Sequence, residues 1–306
     1  MPVIYLDGPE KAGKSTIAWT ILRKYGGRIR AWGPVKPDDR VYIQPLLDDI
    51  SSTELIVWDR AWVAEHVYAN LLGRDRRLAD DPWLGEWLYG RALRTAGYHC
   101  IILGPDPATL RTLRDSTDLP VDPADERRAY QTYGKQQHVQ CYVNQHTVEG
   151  AELVADAAVD AATSAYEAAK RLGLLPPVYA GPVAAPVVFV GEEPGGAASM
   201  PGSGLPFTSR LTTMLGRDLG VFANRCGWCN ASDVPAQSLR GRRLIVACGK
   251  VAEKWVQYNV NPERMITIDH PAFAYRWGKA QSRLPEYREV LDTIRKEFQH
   301  YGQATS

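Results

Sequence analysis

Near the start of the chain, Gly8-Pro9-Glu10-Lys11-Ala12-Gly13-Lys14-Ser15-Thr16 spells G-x-x-x-x-G-K-[ST]. The apolar run Val3-Ile4-Tyr5-Leu6 precedes it, and Ile17-Ala18-Trp19-Thr20-Ile21-Leu22 follows. The segment therefore reads as strand, glycine-rich turn and helix, the context in which this pattern has meaning. Backbone N–H groups of the turn and of the helix start converge on one concavity and cradle phosphate oxygens. Lys14 then reaches the terminal phosphates and the Ser15 hydroxyl is a ligand for Mg2+. The implied cofactors are ATP, as a nucleoside triphosphate, and Mg2+.

A chain of 306 residues has room for two ordinary domains. Its formal net charge of +1 argues against strong non-specific adhesion to nucleic acid and leaves only a local basic patch for that purpose. No apolar run reaches membrane-spanning length, and Met1-Pro2-Val3 opens no signal-peptide pattern, so the expectation is a cytoplasmic protein with no membrane partner. Cys100, Cys141, Cys226, Cys229 and Cys248 are odd in number and do not resemble a secreted disulfide framework. Cys226-Gly227-Trp228-Cys229 fits a redox pair, half a metal site or plain structural thiols. A second C-x-x-C or an H-x-x-x-H is missing from the sequence, which favours the structural reading.

The first half alternates apolar runs with helical patterns, as α/β domains do. Strands are expected at 2–6, 54–59 and 99–103, and helices at 14–25, 61–72, 83–97, 106–115 and 123–138. An Ala-rich periodic stretch from Glu149 to Leu172, with Gly173 as its cap, reads as the last helix of a first domain, 1–173. Four prolines between Leu174 and Pro186 predict a semi-extended linker, 174–186. A second, smaller α/β domain, 187–300, is expected to follow, with strands at 187–191 and 243–248 and a closing helix at 283–299.

Further residues narrow the chemistry of the first domain. Leu55-Ile56-Val57-Trp58 runs into Asp59-Arg60-Ala61-Trp62, with Val67-Tyr68 on the next helix. Glu10 and Lys11 sit at the third and fourth positions of the phosphate loop, and Cys100-Ile101-Ile102-Leu103 precedes a segment carrying Arg111, Arg114, Arg127 and Arg128. This set resembles the thymidylate and deoxynucleoside kinases of the P-loop class. The resemblance implies a parallel-sheet kinase domain, a nucleotide substrate and a homodimer. It further implies that Arg60 clamps the acceptor phosphate, that Asp59 orients the acceptor or holds Mg2+ through water, and that Tyr68 lies at the substrate. Arg111, Arg114, Arg127 or Arg128 would close over the transferring group, although each also suits a solvated helix face. Trp32 and Trp62 are candidates to stack on a base, and each equally suits a core. The sequence Arg30-Ala31-Trp32-Gly33-Pro34 departs from that family's usual run, so the acceptor base stays open.

The second domain carries Gly191-Glu192-Glu193-Pro194-Gly195, Gly204-Leu205-Pro206-Phe207, Asn230, the Leu244–Ala252 segment and His270-Pro271-Ala272, in that order. These resemble motifs of the uracil-DNA glycosylase superfamily. The resemblance implies a pocket for a flipped base: Phe207 stacks on it, Asn230 reads its edge, Glu192 matches the substrate-side Glu of the thermophilic branch, Glu193 positions a water, and His270 donates to the developing anion. Arg276, Trp277 and Lys279 would contact a DNA backbone or wedge the duplex. Within 187–300 the cysteines are Cys226, Cys229 and Cys248, one short of the four thiolates that an iron–sulfur cluster takes.

The leading expectation is thus a P-loop kinase for a deoxynucleoside monophosphate joined to a base-recognising domain. Two alternatives stay open: a kinase for a hydroxymethylated base in DNA gripped by 187–300, and an active DNA glycosylase in that second domain.

Overall fold

The structure, a computed structural model, describes residues 2–31, 49, 52–60, 62–73, 97–116, 118–137, 139–175, 178–192, 215, 218–231, 233–269 and 285–304. β1, Val3–Asp7, is buried along its whole length, as an apolar strand covered on both faces must be. It leads through the glycine-rich turn into α1, Lys14–Tyr25. There follow β2, Arg28–Ala31; β3, Ile56–Asp59; α2, Trp62–Leu71; β4, Gly97–Leu103; α3, Pro107–Leu113; α4, Pro123–Gln137; β5, Gln140–Val143; and α5, Val148–Arg171. The described residues divide into two compact units after Glu167.

The sheet of the first unit has the order β2-β3-β1-β4-β5 and is parallel throughout. Its core packs Ile4, Leu6, Val57 and Ile102 against Ile17 and Ile21 of α1 and Ala155 of α5. β1 lies in the middle. The connections from β1 and from β4 leave towards opposite edges, which opens a crevice at the C-terminal ends of those two strands. The phosphate loop occupies that crevice.

Local chemistry sets the helix ends. Asp106 caps α3 by accepting the Thr109 N–H at 2.9 Å, and Pro107 sits where no N–H is needed, so the helix begins at Pro107. The Thr147 hydroxyl caps α5 by accepting the Gly150 N–H at 3.0 Å. Gly173, at φ 65°, turns the chain out of α5, and the Leu174 N–H returns to the Ala169 carbonyl at 2.9 Å.

The second unit holds β6, Tyr179–Ala180; β7, Val187–Gly191; β8, Gly227–Asn230; β9, Leu244–Cys248; α6, Lys250–Asn259; β10, Met265–Ile268; and α7, Pro285–Ala304. Its sheet order is β10-β9-β7-β8-β6, parallel except for β6, which runs antiparallel to β8. Val188, Val190, Ile245 and Ala247 pack against Ala252 and Val256 of α6. This unit too is α/β, with a switch in connection between β7 and β9.

Several expectations change. The proline-rich stretch read as a linker contains β6, whose two residues are fully buried, so part of it belongs to the second sheet. β2 was not expected. Its alternation puts Ile29 against the core, while Arg28 and Arg30 donate to the buried Asp49 carboxylate at 2.6–2.8 Å. The helix expected at 83–97 lies outside the described residues except for Gly97, which opens β4. Among the described residues, no helix is long and apolar enough to cross a membrane.

Candidate active site

Both motif glycines are required by what lies against them. Gly8 has φ +144°, and a Cβ there would stand 2.0 Å from the Ile102 carbonyl oxygen. Gly13 has φ +86°, and a Cβ there would stand 2.2 Å from Asn144 Nδ2. The loop is thus pressed onto β4 and onto the turn after β5, a fit open only to glycine. Asn144 completes the brace: its buried amide donates to the Ala12 carbonyl at 3.0 Å.

Lys14 is buried, and its ammonium donates to the carbonyls of Gly8, at 2.9 Å, and Pro9, at 2.6 Å. Burial, and then the nearby Arg60 charge, push its pKa down to about 8 against the pull of Asp59, Asp7 and Glu10. A polyphosphate at the loop restores the charged form, so binding takes up a proton. Calorimetry with MgATP at pH 8, in buffers of differing ionisation enthalpy, is expected to show uptake of roughly half a proton per nucleotide. Affinity should fall as pH rises past that value. Binding with no proton uptake would contradict this reading of Lys14.

Ser15, the first turn of α1, donates its hydroxyl to Asp59 Oδ2 at the end of β3. The other carboxylate oxygen, Asp59 Oδ1, is buried and has no hydrogen-bond partner. A hydroxyl beside a carboxylate with an unsatisfied oxygen is the hard oxygen donor set that Mg2+ takes, so these two residues fit that ion.

Arg60 follows at φ 73°, in the left-handed region that a side chain seldom adopts. Its N–H bonds to the Leu6 carbonyl at 2.9 Å, which ties the strained residue to β1. The guanidinium stands 3.7 Å from the Glu10 carboxylate, and both residues line a cavity of about 570 Å3 with Lys14 and Ser15. That volume lies within the range of small-molecule sites.

A second layer locks the loop. The buried Glu126 of α4 accepts the Glu10 N–H at 2.8 Å and also bonds the Tyr68 hydroxyl and the Arg114 guanidinium. Lys11, at φ 58°, pairs with Asp115 and Asp118 at 3.2 and 3.3 Å, and the Glu10 carboxylate accepts the Leu119 N–H at 2.9 Å. The segment between α3 and α4 is strapped to the phosphate loop by these bonds.

Gly8 to Thr16 and the Asp59-Arg60 pair lie together at the C-terminal ends of β1 and β3. Three of the four lid arginines stand apart from them. Arg111 and Arg128 are exposed and pair with Asp122 and Asp125, and Arg127 donates to the Gly104 carbonyl. Only Arg114 joins the loop's support, through Glu126. Tyr68, expected at the substrate, is buried and spent on the same carboxylate. Trp62 opens α2, and Trp32 lies outside the described residues. Asp118, Glu126, Asn144 and His146 escaped the sequence reading. Asn144 and His146 follow a short strand that carries no motif, and the partners of Glu126 are remote in sequence.

In the second unit, Gly191 and Asn230 are register partners at the C-terminal ends of the parallel β7 and β8, and Glu192 is the next residue. Asn230 is buried and donates to Asp233 at 2.9 Å. Glu193, Phe207 and His270, with Arg276, Trp277 and Lys279, lie outside the described residues. The Cys226 and Cys229 thiols turn to different carbonyls, of Phe222 and Phe189, and burial raises the Cys229 thiol well above its ordinary range. Both follow from their place at β8, whose four residues are fully enclosed.

No family model and no curated protein matches the sequence. Among solved structures, similarity is found to the YorR protein of Bacillus subtilis in complex with phosphorylated GDP, at 14% identity and a TM-score of 0.42, over 54% of this chain and 98% of that one. It is also found to deoxyadenosine kinase from M. mycoides with bound dCTP, at 16% identity and a TM-score of 0.33, over 52% of this chain and 99% of that one.

Proposed function

We propose that the first unit is a phosphotransferase: it moves the terminal phosphoryl group of a nucleoside triphosphate, ATP in the leading case, to a deoxynucleoside monophosphate. What carries this is one cavity lined by a buried Lys14, by Arg60 and by Ser15, whose hydroxyl bonds the Asp59 carboxylate behind it. Phosphoryl transfer asks a protein mainly for positioning and charge neutralisation. The bond from the terminal phosphorus to its bridging oxygen breaks, and a bond to the acceptor oxygen forms in line with it. Lys14 exchanges its two carbonyl partners for oxygens of the transferring group. Ser15 and Asp59 would hold Mg2+, which supplies charge neutralisation on the donor phosphates. Arg60 offers a planar fork to the acceptor phosphate, and Glu10 holds the guanidinium in place. A monophosphate acceptor attacks through an oxygen already ionised at neutral pH, so no general base is needed.

For the second unit we infer a base-reading site at the C-terminal edge of its sheet. The register pairing of Gly191 with Asn230 supports it, because it joins two separate motifs at one place. Incubating the chain with γ-labelled ATP, Mg2+, nucleoside monophosphates and plain, uracil-containing or hydroxymethyluracil-containing DNA tests both readings. Label on a monophosphate is expected. Label on the modified DNA alone would replace the free acceptor with one held by the second unit. Label on neither would sink the phosphotransferase. Abasic sites in the uracil DNA would make the second unit a glycosylase.

A further inference from the structure

The cavity does not end at the phosphate loop. It continues along Leu113 at the end of α3, then Asn144, His146 and Thr147 after β5, and Val148 and Ala151 of α5. Leu113 and Val148 are exposed apolar side chains, at 45% and 67%, that present aliphatic surface to the opening. The polar side chains beside them are largely committed. Asn144 is 1% exposed, with its amide on Ala12 and its carbonyl oxygen accepting the His146 N–H at 3.2 Å. The Thr147 hydroxyl serves as the α5 cap. His146 is held at φ 56° by that bond to Asn144, so the residue that braces the phosphate loop also sets the imidazole at the cavity wall.

We infer that this stretch grips the donor's nucleobase by its faces and not by its edge, so that the protein accepts any of the common nucleoside triphosphates. Every base has a π face, and contact with an imidazole and aliphatic side chains does not distinguish among bases. Strong discrimination needs a buried array of hydrogen-bonding groups aimed at one edge. Here the buried amide is turned to the protein's own backbone. Asn144 acts as a positioning residue and His146 as the contact.

The inference rests on the donor-nucleotide reading of this cavity, and the test separates the two. Dissociation constants of the full chain with Mg2+ are measured calorimetrically for ATP, GTP, CTP, UTP and inorganic tripolyphosphate. The four nucleotides are expected within about tenfold of one another, with tripolyphosphate weaker than all four. His146→Ala should weaken the four by a common factor, about fivefold to twentyfold, and leave tripolyphosphate unchanged. A preference for one nucleotide beyond about a hundredfold would overturn the inference, as would equal loss for tripolyphosphate in the variant. Even binding with no phosphoryl transfer would leave the slot standing and remove the kinase reading. Binding of none of the five probes would remove both.

Discussion

Lys14→Met is expected to lower the proposed phosphoryl transfer by about a thousandfold, the scale of losing one preorganised charge at a developing anion. The substitution keeps the length of the side chain and deletes the ammonium. In the resting loop that ammonium is already desolvated and bonded to Gly8 and Pro9, so its burial is complete before substrate arrives. Deleting it also removes the cost of keeping a charge out of water, which offsets the two carbonyl bonds lost. The fold should therefore survive: thermal melting of the variant is expected within about 3 °C of the parent, on the scale of a change below about 1 kcal/mol. Steady-state kinetics and a melting curve on the same preparation check this. A variant that keeps a tenth of the parent rate would show that Lys14 does not contact the transferring group.

Glu126→Ala acts on stability. It leaves Arg114, whose side chain is 10% exposed, without its carboxylate, and orphans the Glu10 N–H and the Tyr68 hydroxyl. Breaking a buried pair from one side costs about 3–5 kcal/mol, because a charge stays buried with no partner. The transition of the first unit should fall by roughly 10 °C. Adding Arg114→Met to Glu126→Ala should recover part of that loss, since no unpaired charge then remains. Differential scanning calorimetry of the parent, the single and the double variant decides it. A single variant melting within about 2 °C of the parent, or a double variant worse than the single, would show that the carboxylate does not hold the strap.

The contrast between these two residues shows what could be read from the chain alone. Lys14 belongs to a local pattern whose strand, turn and helix are contiguous, so its neighbours in sequence are its neighbours in space. β1, α1 and the Asp59-Arg60 strand end were legible for the same reason. Glu126 is different. Its partners Glu10 and Tyr68 are 116 and 58 residues away, and only the parallel sheet brings them to it. Asn144 reaches the loop across 132 residues. The arginines drew attention by charge, yet charge alone did not say that Arg111 and Arg128 face exposed aspartates while Arg114 turns inward. β2 hid behind its two arginines because their partner, Asp49, lies about twenty residues away, and β8 hid inside a pattern that reads first as a thiol motif.

Phosphorus-31 NMR watches the proposed transfer from a nucleoside triphosphate to a nucleotide without labels. The chain is mixed with MgATP and a pool of the four deoxynucleoside monophosphates, beside the Lys14→Met variant. ATP resonances are expected to decline as those of ADP and of a new deoxynucleoside diphosphate grow, with no change in the variant sample. Unchanged ATP, or ADP growing only with inorganic phosphate, would contradict it.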